Sequence, residues 1–173
     1  ISAGTLKAGS ATALGTGAIS VASGAAFDLN GQTMTSTGTL TLNGTGISSG
    51  GALMISSTTS ATYAGTVSLG SASAIVGGSG SVVLSGTVNG AYGLTLGGAT
   101  GGSATGVIGS TITGITKEGL GTWILSGTNT FTSAVTINAG ALRAASNAAL
   151  GTTAGGVTVA NGATLELGGP ASP

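Results

Sequence analysis

The sequence has no cysteine and no histidine, and only six of its 173 residues carry charge, three basic and three acidic. Without those two residue types there is no disulfide, no thiol or imidazole nucleophile, and no His/Cys metal cluster. A cysteine-free chain can live in an oxidising compartment without requiring one, and suits export in an unfolded state through an oxidising space. Three scattered basic side chains cannot neutralise a run of phosphates, so nucleic acid is excluded as a partner. Proline occurs only at Pro170 and Pro173. A collagen pattern fails for that reason and because glycine keeps no third-position rule. Long apolar runs are missing too: Gly, Ser and Thr interrupt each one within a few residues, so no segment has the length of a membrane span. The chain opens on Ile1 with no secretory signal, and is expected to be a processed or excised piece.

What is present is glycine, 36 residues of it, with Val, Ile, Leu and Ala dispersed among Ser and Thr. Recurrent β-branched residues argue against a disordered linker. Glycine every few residues disfavours helix by roughly 1 kcal/mol each. The apolar residues instead sit two apart: Leu40 and Leu42, Leu53 and Ile55, Val67 and Leu69, Val82 and Leu84, Leu94 and Leu96, Val157 and Val159, Leu165 and Leu167. Spacing of two puts both members of a pair on one face of a strand. Asn30-Gly31, Asn43-Gly44, Gly77-Gly78, Asn89-Gly90 and Asn161-Gly162 punctuate these pairs as turns. The reading is an all-β protein.

The chain also repeats itself. ISAGTLKAGSATALGT, from Ile1 to Thr16, matches INAGALRAASNAALGT, from Ile137 to Thr152, at an offset of 136 residues (137 minus 1). After a two-residue insertion, Ala18 to Gly31 matches Gly156 to Gly169. Residues 1–31 and 137–169 therefore read as equivalent parts of a long unit. Shorter echoes such as GTLTLNG, GTVSLGS and GTWILSG recur at very roughly twenty residues, the spacing of solenoid coils. A single β-solenoid segment over 1–169 is predicted, with 170–173 a short linker-like tail.

Residues Lys117 to Leu142, KEGLGTWILSGTNTFTSAVTINAGAL, are the most motif-like stretch. They resemble the passenger-associated strand repeat of bacterial autotransporters: Lys, x, Gly, x, Gly, Thr, alternating leucines, Ser-Gly, Asn-Thr-Tyr, then Thr-Ile-Asn-Ala-Gly-Thr-Leu. Here Trp123 replaces a leucine, Phe131 the tyrosine and Ser133 a customary glycine. Ile1 to Leu6 looks like the tail of a preceding copy, and residues 44–115 match only in style. The resemblance implies a right-handed parallel β-helix from an exported cell-surface protein, an adhesin or stalk.

The six charges bear on chemistry. Lys7 and Arg143 occupy matching places in the long repeat, as do Asp28 and Glu166. Alternation predicts that Asp28 and Glu166 point outward from strands, and that Lys117 and Glu118 belong to a turn. Trp123, if inward, is expected where the coil widens or near an end. Parallel β-helices also carry polysaccharide lyases and hydrolases, which need clustered carboxylates. One Asp and two Glu separated by scores of residues do not supply a cluster, and the Asp-rich calcium-binding repeat is missing. No catalytic, cofactor-binding or metal-binding residue is therefore assigned, and the chain is read as a non-enzyme that does not insert in a membrane. Expected partners are neighbouring coils of a parent chain, or identical subunits stacked head to tail as a filament, together with an unidentified host or surface receptor. A further reading is an ice- or glycan-binding face built from Thr and Ser, suggested by TMTSTGTLTL from Thr33 and TTSAT from Thr58.

Overall fold

The computed structural model describes residues 1–35 and 38–168. The proposed tail 170–173, Gly169 and the central part of the run from Thr33 lie outside the described residues. The chain forms a parallel β-solenoid of about 8 turns with coils of roughly 21 residues. Its strands are β1 (Thr5–Lys7), β2 (Ile19–Val21), β3 (Ala26–Asp28), β4 (Leu40–Gly44), β5 (Leu53–Ile55), β6 (Ala61–Tyr63), β7 (Val67–Gly77), β8 (Val82–Leu84) and β9 (Val88–Asn89). They continue as β10 (Gly93–Gly98), β11 (Gly101–Ala104), β12 (Gly114–Lys117), β13 (Thr122–Leu125), β14 (Val135–Ile137), β15 (Ala141–Ala144), β16 (Val157–Val159) and β17 (Thr164–Leu167). A short 3-10 turn, Ile47–Ser49, lies on the connection between β4 and β5.

All strand pairings are parallel, because each strand pairs with its counterpart one coil away. One sheet follows the order β1-β3-β5-β7-β10-β12-β14-β16, and the other β17-β15-β13-β11-β8-β6. A second ladder, β2-β4-β7-β9, joins the first sheet through the long strand β7, whose two halves serve different ladders. The coil therefore has three strand-bearing sides.

Alternation sends one set of side chains inward. On the longer ladder an inward column runs Phe27, Leu53, Ile75, Leu96, Lys117, Ile137, Val159. On the other sheet the column Val82, Gly102, Trp123, Leu142, Leu165 does the same. Mid-stack members are buried; Phe27, Leu53, Ile75, Trp123, Ile137 and Leu142 are each 0% exposed. Such columns give one continuous core in which each coil covers the apolar face of the next.

Trp123 is mid-stack, not at an end or a widening. The residue beneath it in the column is Gly102, and the ring lies over the place a side chain would fill: a Cβ there would come within 2.9 Å of its Cη2 atom. The indole N–H crosses the lumen to donate to Gly97 O at 2.9 Å. A large residue thus fits a regular coil because its neighbour is absent in volume, and its polar edge is satisfied.

The sequence echo has a structural counterpart with a twist. Ala22 N–H donates to Ile1 O at 2.9 Å and Ala160 N–H to Ile137 O at 2.8 Å; Ala25 and Ala163 each close a turn on Ala22 and Ala160 at 3.0 Å. Yet β1 lies in the eleven-stranded sheet, whereas its sequence equivalent β15 lies in the six-stranded one. Likewise β2 stands on the short ladder and its equivalent β16 on the long one. The same local unit is built twice, turned by one side of the coil.

The Gly102→Ala variant should lose about 1–3 kcal/mol of stability, since the added methyl meets both the Trp123 ring and the Val82 carbonyl. Urea denaturation checks this; an unchanged midpoint would mean that Trp123 does not occupy that space.

Candidate functional site

Among the described residues four polar or charged side chains are buried, Asp28, Ser73, Lys117 and Asn129, and two of them lie in the stretch Lys117 to Leu142. Lys117 holds an inward position between Leu96 and Ile137, and is 0% exposed. Its aliphatic stem continues the apolar column. Its ammonium turns into the corner and donates to Glu118 O at 2.7 Å, Gly119 O at 2.7 Å and Ala139 O at 3.0 Å. Two of these carbonyls belong to its own corner and the third to the corner one coil on, so one cation ties two coils. Gly119 and Gly140 keep positive φ, 69° and 63°, at those corners, a conformation glycine adopts without penalty. Burial lowers the Lys117 pKa from its ordinary 10.5, opposed by the neighbouring Glu118 carboxylate. Glu118 itself accepts from Asn138 Nδ2 at 2.6 Å on the exposed outer side.

Asn129, 3% exposed, performs a second tie. Its Oδ1 accepts from Ile108 N–H at 2.8 Å on one neighbouring coil, and its Nδ2 donates to Ala149 O at 2.6 Å on the other. Phe131 beside it is fully buried. Ser133, standing where the repeat usually has glycine, carries a buried hydroxyl without a hydrogen-bond partner.

Two expectations about charge are corrected here. Asp28 is 3% exposed rather than outward in solvent. It accepts from Asn30 N at 2.9 Å, Ser56 N at 3.0 Å and Ser56 Oγ at 2.5 Å. Period-two alternation assigns Asp28 to the outer side correctly, but the coil carrying Ser56 folds over it. Lys117 is not a solvated turn residue: it closes strand β12 with its side chain inside, because three carbonyls replace water around the ammonium. Lys7, Glu166 and Arg143 are exposed, and Arg143 and Glu166 face each other across β15 and β17.

The three carboxylates do not converge: Asp28 stands on β3, Glu118 after β12 and Glu166 on β17. Among the described residues no three His, Cys, Asp or Glu side chains are grouped to hold a metal ion. Threonines do stack, at places other than the runs from Thr33 and Thr58. Thr95, Thr116, Thr136 and Thr158 form a single outward file on β10, β12, β14 and β16. Two residues along the same strands, the adjacent positions are Gly97, Glu118, Asn138 and Ala160, so no second threonine file accompanies the first. Thr41, in the run from Thr33, lies between Ser20 and Ser68. A shallow groove of about 340 Å³ crosses the outer side of β7 and β10, lined by Thr45, Ser49, Val76, Thr95, Gly97 and Glu118 among others.

What this geometry does chemically is fasten one coil to the next, and it falls on a recognisable segment. Residues 115–144 match the family model Passenger-associated-transport-repeat. The molecule is a β-solenoid, and this segment of it is similar to that passenger-associated repeat. Over 51 residues, 30% of the chain, it is 53% identical to the protein named Adhesin BmaC autotransporter of Brucella suis biovar 1 (strain 1330). The chain spans 2% of the length of that relative. No solved structure matches it.

Lys117→Met should destabilise the fold by about 3 kcal/mol, because three corner carbonyls lose their donor, while Glu118→Gln should shift stability by less than about 0.5 kcal/mol. The pH dependence has a definite sign. The folded state releases the Lys117 proton at lower pH than the unfolded state, so the unfolded chain binds more protons just below pH 10.5 and stability rises with pH there. Urea midpoints should therefore climb through the alkaline range in the parent relative to Lys117→Met. A parallel course for the two proteins would contradict the lowered pKa of Lys117.

Proposed function

We propose that this chain is a non-catalytic segment of an exported bacterial surface protein of the adhesin or stalk type. Its role is to hold a stiff, extended core that carries binding surfaces away from the cell. The observation that carries the reading is the repeat at 115–144, in which Lys117 and Asn129 tie successive coils while Gly119 and Gly140 take the corners. The 53% identity over 51 residues to a protein named as an autotransporter adhesin supports it further. A non-enzymatic role agrees with carboxylates engaged in backbone hydrogen bonds or dispersed over distant coils. The same likeness supports a location outside the cell, after passage across the outer membrane.

Head-to-tail self-assembly is the weaker reading. Copies stacked by their ends would have to match sides of the coil, and β1 stands in the eleven-stranded sheet whereas its sequence equivalent β15 stands in the six-stranded one.

Antibodies raised to the folded chain should label intact cells expressing the parent gene, and brief external protease treatment should remove the signal. Labelling that requires permeabilised cells would contradict the proposal.

A further inference from the structure

The end of the solenoid formed by β16 and β17 leaves apolar side chains of the inward columns exposed. Val157 is 38%, Val159 43% and Leu167 79% exposed, although all three occupy inward positions of their columns. The chain contains a covered version of this same layer. Ile19, Val21, Phe27 and Leu29 are the sequence equivalents of Val157, Val159, Leu165 and Leu167. Their local backbone is the same, with Gly24 and Gly162 at φ of 79° and 80°. In the covered copy Val21, Phe27 and Leu29 are each 0% exposed. The covering comes from β4 on β2 and β5 on β3. Three amides of the layer reach up to it: Ile19 N–H donates to Thr39 O at 2.9 Å, Phe27 N–H to Ala52 O at 2.8 Å and Leu29 N–H to Met54 O at 2.9 Å. The covering coil also brings Ser56, whose N–H and hydroxyl satisfy Asp28.

We infer that the β16–β17 end is a docking surface for a solenoid coil with the chemistry of residues 38–63: a Leu-Thr-Leu strand on β16, a Leu-Met-Ile strand on β17, and a serine following the second strand that takes Glu166 as Ser56 takes Asp28. Because the unit is turned by one side, this coil sits one side further round than its counterpart within the chain. The loop carrying Ile47, itself 43% exposed, then emerges from a different side of the fibre. Repetition of the unit would display the same projection on successive sides. A second copy's first layer is not the fitting occupant, since residues 1–7 are the equivalents of 137–143, the layer that lies beneath β16 and β17. The inference concerns the solenoid end alone and stands or falls independently of export or adhesion.

The test extends the chain after Gly169 with a second copy of residues 32–66 and follows amide hydrogen exchange. A parallel sample holds the unmodified chain with a synthetic peptide of residues 32–66, which needs no new junction. The amides of Val157, Leu165 and Leu167 should exchange at least tenfold more slowly in the extended chain or in the peptide mixture. Appending a copy of residues 1–35 should leave them unchanged. Unchanged exchange in both the extended chain and the mixture would overturn the inference, as would loss of protection at the mid-stack amides of Val82 and Leu84. Equal protection by the 1–35 copy would also overturn it, by showing that any strand suffices.

Discussion

Everything in this molecule depends on parallel backbone pairing between successive coils. A coil of about 21 residues cannot bury its own inward residues; it is stable only when covered above and below. That constraint explains the composition. Inward columns need Val, Leu and Ile. Corners need glycine or asparagine, and the outer sides tolerate Ser and Thr, so few positions remain where a charge is useful.

Corners are the weak points of such a stack, since their carbonyls and amides turn out of the ladder and still need partners. The chain meets this with side chains that reach between coils. Lys117 gathers carbonyls from two corners, Asn129 bridges three coils, Asn43 donates to Val21 O at 2.9 Å and Asn30 to Ala8 O at 2.8 Å. Asp28 answers the same need from the opposite direction, accepting amide protons of two coils. Lys117, Asp28 and these amides thus serve architecture, which is the physical reason to read the repeat as a fastening device.

Much of the fold was legible because solenoid periodicity is redundant. Pairs such as Leu40 and Leu42 or Val82 and Leu84 repeat the period-two signal on coil after coil, and each is buried. The Lys117–Leu142 pattern carried its resemblance independently of composition, and the family match falls on it. What remained hidden was contact between coils. Alternation fixes the side of Asp28 but not the arrival of Ser56 over it. Turn chemistry places Lys117 near a corner without revealing carbonyls converging on its ammonium. The room for Trp123 comes from Gly102, a neighbour fixed by register and not by sequence proximity. The rotation of the long repeat was invisible for the same reason: identical segments do not say which side of the coil they occupy.

The stack itself is most directly tested by distances between spin labels, which the absence of native cysteine makes clean. Positions Thr5 and Thr158 lie on the first and last strands of the ladder β1-β3-β5-β7-β10-β12-β14-β16. At about 4.8 Å per strand, seven steps place their backbones about 34 Å apart, and labels at Thr5 and Thr95 about 19 Å apart. Distances that grow with the number of coils are the predicted result. A short Thr5 to Thr158 distance, or one that does not scale with the coils between, would contradict the solenoid account.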